Sequence, residues 1–212
     1  VASMDGMYVK VCGLTSEDAV GAAVSAGADA IGVVMNETSP RAVDRDRARA
    51  VVRAGRSAGG PGLDIVLVVN DKPAVDAAAL AVDLGFDVLQ LHGRRYGEAD
   101  FRAAAEGIGR IWRATSLVHE PPLTVGAYGE ERLLLDAPKP GSGERWDLSM
   151  LTDRGLSGQW LLAGGLTPDN VADAIAQAHP WGVDVSSGVE SAPGVKDLAA
   201  ISRFVEAAKS RR

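Results

Sequence analysis

Tyr8-Val9-Lys10-Val11-Cys12-Gly13-Leu14-Thr15-Ser16 and Ala30-Ile31-Gly32-Val33-Val34-Met35 bracket the Ala-rich stretch Ser16–Ala26. The outer runs, Tyr8–Cys12 and Ala30–Met35, are short and almost continuously apolar rather than alternating, which marks strands buried on both faces. Between them, Ser16 is an N-cap residue type and Gly27 follows the last apolar position, so the spacing predicts a helix over Ser16–Ala26. A strand, a helix and a second buried strand in that order make a parallel unit with a right-handed crossover.

The same theme recurs along the chain. Further strands are predicted at Asp64–Asn70, Val88–His92, Arg110–Thr115, Arg132–Asp136, Trp160–Ala163 and Gly182–Ser186. Helical returns are predicted at Asp44–Arg56, Pro73–Leu84, Asp100–Glu106, Asp169–Ala178 and Val195–Ser210, with only a turn or two at Pro121–Glu131 and Leu148–Leu156. Gly-rich Ser57–Gly62 reads as a loop. Eight units predict an α/β fold, a single (β/α)8 TIM barrel over residues 1–212. An open doubly wound sheet normally has fewer strands and a Gly-x-Gly-x-x-Gly turn after the first, and this chain has no such turn there.

Residues 1–6 read as a flexible lead-in or cloning remnant, with Met4 or Met7 as the natural start. The single cysteine excludes an internal disulfide framework and fits a reducing, cytoplasmic setting. A net charge of −6 speaks against general nucleic-acid binding. No apolar run reaches the roughly 20 residues of a membrane span, and no signal peptide opens the chain. The sequon Asn36-Glu37-Thr38 is read as chance, and Lys209-Ser210-Arg211-Arg212 as a solvated helix end. Monomer and homodimer both stay open.

In such a barrel the C-terminal strand ends carry the chemistry. Cys12 closes the first strand and Asp136 the sixth, offering a base and an acid at equivalent positions. A lone cysteine is by default a buried small hydrophobe, but its strand-end position and its company favour chemistry. Gly164-Gly165 follows the seventh strand and Ser186-Ser187-Gly188 the eighth. Glycine-rich loops on these two adjacent strands point to a phosphate site, whereas either loop alone could be an ordinary tight turn. Arg41, in Ser39-Pro40-Arg41 after the second strand, could pair with a carboxylate or a phosphate. His92 could hydrogen-bond a substrate or simply be satisfied at the barrel rim. No ligand spacing links the three histidines, so no zinc site is expected. Lys10, Lys139 and Lys196 offer no Schiff-base lysine, and no Walker loop or Gly-x-Ser-x-Gly elbow is present.

These residues together resemble the phosphoribosylanthranilate isomerase family of tryptophan biosynthesis. The resemblance rests on Lys10–Thr15, Ser39–Arg41, Gln90–Gly93, Leu134–Asp136, Gly141–Gly143, Ala163–Pro168 with Asn170-Val171, Val183–Glu190 and Pro193–Lys196. It runs in the family's order over essentially the whole chain. It implies an Amadori rearrangement of N-(5-phosphoribosyl)anthranilate, a small phosphosugar substrate, with no metal and no organic cofactor. It implies that Cys12 removes the C2′ proton and Asp136 protonates the ribose ring oxygen. By the same resemblance Arg41 holds the anthranilate carboxylate. Gly164, Gly165, Ser186, Ser187 and Gly188 hold the phosphate, and His92 and Asp184 line the site. Alternatives are a histidine-pathway or dual-substrate aminoaldose isomerase, and a non-catalytic phosphosugar-binding protein. The first would call for an aspartate where Cys12 stands. The second would need neither Cys12 nor Asp136.

Overall fold

Strands made of continuous apolar residues need cover on both faces, and this chain supplies it by closing the sheet on itself. The computed structural model describes residues 6–136, 148–151 and 155–210. β1 (Tyr8–Cys12), β2 (Ala30–Val34), β3 (Asp64–Val69), β4 (Val88–His92), β5 (Ile111–Ser116), β6 (Arg132–Asp136), β7 (Trp160–Leu162) and β8 (Gly182–Val185) form a closed parallel barrel. Pairing of Lys10 with Asp184, in the register that joins β1 to β8, shuts the ring. Outside it lie α1 (Glu17–Ala26), α2 (Arg45–Gly59), α3 (Ala74–Leu84), α4 (Glu98–Ala105), α5 (Val171–Ala178) and α6 (Leu198–Lys209).

The capping signals act as the sequence suggests. Ser16 Oγ accepts the amide of Ala19, and Asp44 accepts that of Arg47. Each side chain satisfies an amide that the first helical turn leaves without a partner. The large apolar cluster fills the space between barrel and helices. A second one, containing Cys12, Val34, Val66, Val68, Trp112, Ala114, Leu134 and Leu161, fills the lumen.

Several expectations change. Pro121–Glu131 holds no helix; it runs through turns at Gly126 and Gly129. The left-handed glycines Gly126 and Gly129 interrupt any helix there, and Arg113 of β5 organises the segment instead. Arg113 donates to the Pro122 carbonyl at 2.8 Å and to Glu130 at 2.8 Å. Val195 does not begin the last helix. β9 (Glu190–Ala192) and β10 (Val195–Lys196) form a small antiparallel hairpin, and α6 starts at Leu198 under an Asp197 cap that accepts the amide of Ala200. Ser57–Gly62 is not wholly loop, because α2 continues to Gly59 and a 3-10 turn follows. α4 begins two residues early, at Glu98, and α5 two residues late, at Val171. Of the Leu148–Leu156 return, Leu148–Leu151 is a 3-10 turn. Residues 152–154 lie outside the described residues, as do Lys139 and the Gly141–Gly143 motif.

The N-terminal end of the lumen is closed by side chains. The Arg132 guanidinium lies 4.3 Å from the ring centre of Tyr8, 4.7 Å from Trp112 and 4.6 Å from Trp181. It also pairs with Asp64 at 3.1 Å. Access to the lumen is therefore left to the C-terminal end.

Candidate active site

At that end a cavity of about 290 Å³ opens over the lumen. Strand ends supply Cys12 from β1, His92 from β4, Asp136 from β6 and Asp184 from β8. Loops supply Arg41, Gly164, Gly165, Ser186, Ser187 and Gly188. The candidate catalytic, carboxylate-binding and phosphate-binding residues, with His92 and Asp184, thus all line this cavity. Around the ring, the β7 and β8 loops lie between Asp136 and Cys12, and the Arg41 loop lies on the other side of Cys12.

The loops are built to touch. A Cβ on Gly188 would sit 1.8 Å from the Leu166 carbonyl oxygen, so only glycine lets the β8 loop approach the β7 loop this closely. Asn170 pins the β7 loop from below, accepting the Thr167 amide and donating to the Gly165 carbonyl at 2.9 Å.

Arg41 is held before any ligand arrives. Its Nε and Nη2 donate to Glu190 at 2.6 and 2.9 Å, a bidentate fork. Glu190 also accepts from Lys196 at 2.8 Å, and Lys196 donates to the Ser186 carbonyl at 2.8 Å. The β9–β10 hairpin therefore ties the Arg41 loop to the serine loop of β8. Burial pushes the Glu190 carboxyl up, but Arg41 and Lys196 outweigh it and hold the group below its ordinary value.

His92 Nε2 stands 3.9 Å from Asp136 Oδ2, beyond hydrogen-bond range. Burial, helped by the charges of Lys10 and His119, pushes His92 down to about 4. It is a neutral imidazole at neutral pH and brings no positive charge to Asp136. Gln90, the next inward residue on β4, is buried, and its Oε1 accepts no hydrogen bond from the described residues. It is an acceptor in the cavity wall suited to a ligand N–H or O–H.

Beneath Cys12 lies Lys10, fully buried, donating to Asp184 at 2.8 Å. Burial pushes the Cys12 thiol up; the Lys10 charge pulls it down and Asp184 pushes it up again. Asp184 is itself raised by burial against the pull of Lys10.

The sequence weighs Lys10 and Lys196 only as Schiff-base lysines and gives Glu190 no separate role. Lys10 had a signal: it stands two residues before Cys12 in a strand, so both side chains share the lumen face. Lys196 and Glu190 lie within the motifs that carry the family resemblance, but nothing in their spacing shows that Glu190 meets both Arg41 and Lys196.

The chain matches a family model described as N-(5′-phosphoribosyl)anthranilate (PRA) isomerase over residues 9–207. A protein of Thiobacillus denitrificans named N-(5′-phosphoribosyl)anthranilate isomerase is 42% identical over 215 residues, covering 95% of this chain and 98% of the relative. One of the same name from Haloferax volcanii is 39% identical, covering 96% and 94%. The crystal structure of TrpF from Jonesia denitrificans superposes with a TM-score of 0.86 at 56% identity, covering 95% of this chain and 96% of that one. A phosphoribosyl anthranilate isomerase solved in complex with reduced 1-(o-carboxyphenylamino)-1-deoxyribulose 5-phosphate gives a TM-score of 0.80 at 31% identity, covering 95% and 98%.

Proposed function

The chain belongs to the N-(5′-phosphoribosyl)anthranilate isomerase family, and we propose that it performs that family's rearrangement with Cys12 as general base and Asp136 as general acid. The observation that carries the assignment is the placing of Cys12 and Asp136 in one cavity wall, with the two glycine-containing loops between them. A substrate whose phosphate rests on the loops at Gly164, Gly165, Ser186, Ser187 and Gly188 has its ribose between acid and base. Lys196, bonded to the Ser186 carbonyl, adds positive charge beside that phosphate. The anthranilate carboxylate extends toward Arg41, whose Nη1 remains when Glu190 holds its other two nitrogens.

Asp136 gives its proton to the ribose ring oxygen as the C1′–O bond breaks, leaving an iminium. The Cys12 thiolate then takes the C2′ proton. The C–H electrons form the C1′–C2′ double bond as the C=N π pair neutralises the nitrogen, and the enolamine becomes the ketone when its C2′ hydroxyl gives up a proton and C1′ gains one. The protein serves as a binder of a phosphoribosyl amine and a biosynthetic isomerase, for which we propose the cytoplasm as its place. No described helix is long and apolar enough to cross a membrane.

The test is turnover of phosphoribosylanthranilate, followed by loss of its fluorescence. Wild type should convert it, and Cys12→Ser should lose about 10²-fold or more in kcat with little change in KM. Wild-type-like kcat in Cys12→Ser, or no conversion by folded wild type, would overturn the assignment.

A further inference from the structure

A buried lysine directly beneath a cysteine base is unexplained by the reaction alone. Lys10 is fully buried, and a chain spends such a charge only where it is paired. Its partner is Asp184, reached across the β1–β8 seam from the facing register position. Cys12 follows Lys10 by two residues on the same face. A Cβ on Gly32, the β2 residue paired with Cys12, would lie 2.7 Å from Cys12 Sγ and 3.2 Å from Lys10 Cε. Gly32 is thus the gap into which thiol and lysine stem both pack.

We propose that Lys10 is a positioning residue that holds one negative charge shared by Cys12 and Asp184, so that Asp184 takes up the proton Cys12 gives up. The inference rests on Cys12 being the base. The step balances: the S–H bond breaks, an O–H bond forms on Asp184, and Lys10 stays an ammonium. The three groups carry no net charge before or after. That matters because a second anion at this buried position costs several kcal/mol in desolvation, whereas moving a proton within the trio adds none. A thiolate is thus available in a site whose burial opposes it.

The other charges facing Cys12 act from outside the trio, Lys196 on Asp184 as well as on Cys12. Lys196 of β10 and Arg41 of the β2–α2 loop both act on Cys12 but are engaged by Glu190. His92 is neutral, and Asp136 belongs to β6, three strands away around the ring.

The experiment is an ultraviolet titration of thiolate absorbance, which this single-cysteine protein reports without background thiols and without turnover. In the wild type the thiolate should appear in two steps, because two coupled sites share protons. In Asp184→Asn it should appear in one step, about a unit or more lower in pH than the upper wild-type step, since a neighbouring negative charge is gone. In the charge-neutral double variant Lys10→Met/Asp184→Asn the single step should move back up by a similar amount. If Asp184→Asn does not fold, the wild-type shape and the double variant still decide. A single wild-type step together with a double variant that titrates like wild type would overturn the proposal, as would an Asp184→Asn step unmoved or shifted upward. Failure here leaves the base assignment standing, because that depends on Cys12→Ser turnover, so the two failures are told apart.

Discussion

Both ends of the barrel lumen bury a cation against a carboxylate, yet one end is finished and the other is not. At the N-terminal end Arg132 is sandwiched by three aromatic rings and pairs with Asp64. Asp64 also accepts from Tyr8 at 2.6 Å and from Arg110. At the C-terminal end Lys10 has Asp184, but Gln90 Oε1 in the cavity lining has no partner among the described residues. A polar network that satisfies itself closes space and adds rigidity. One with valences left over, at the mouth of a barrel, is where a ligand completes the count.

The difference should appear first at Asp136. Asp136→Asn keeps the shape but cannot deliver a proton, and general acid–base groups contribute about 10²–10⁴-fold. We expect kcat to fall by that order with the thermal midpoint kept, measured by substrate fluorescence and by calorimetry. A loss below tenfold would mean that ring opening takes no proton from this residue.

Trp112→Ala tests the opposite end. Trp112 is fully buried and packs against both Tyr8 and Arg132. Truncating such a ring costs about 3–5 kcal/mol, which a urea unfolding curve will read. Turnover per folded molecule should stay near wild type. A kcat loss as large as that of Asp136→Asn would show that the two ends are one functional unit.

How much of this the sequence revealed follows from range. The barrel was legible because each unit is local: Ser16, the Ala-rich run and Gly27 fit within one stretch of chain. The hairpin at Glu190–Lys196 was not, since Val195 and Lys196 run straight into a good helical pattern and only the Asp197 cap divides them. Cys12, Asp136 and the glycine loops were legible as positions, because a barrel sends all its strand ends to one rim. Their partners were not. Lys10 meets Asp184 across 174 residues and Arg41 meets Glu190 across 149, contacts that only ring closure creates. Arg132 reads as the charged start of an apolar strand, and nothing local announces its three aromatic neighbours.

The smallest effect is also the most discriminating, because the two ends should answer acid with opposite sign. Burial pushes Asp64 up, but the hydrogen bonds from Arg110 and Tyr8 and the nearby arginine charges outweigh it, leaving the group below its ordinary value of 3.8. A depressed carboxyl contributes stability that is present above its unfolded value and is lost as pH falls through the folded one. Asp184 is displaced the other way, raised by burial above the same ordinary value. Between its unfolded and folded values the native state binds more protons, so acidification relieves it and adds stability. Relative to Asp64→Asn, the wild type should therefore lose thermal midpoint as pH drops below about 4. Relative to Asp184→Asn, it should gain as pH falls toward that point from above. Calorimetric midpoints across this range for the three proteins give both slopes, and the constant offset from each substitution drops out. Two slopes of the same sign would mean that Lys10 holds Asp184 ionised as firmly as the arginines hold Asp64, and the contrast between the ends would reduce to the cavity alone.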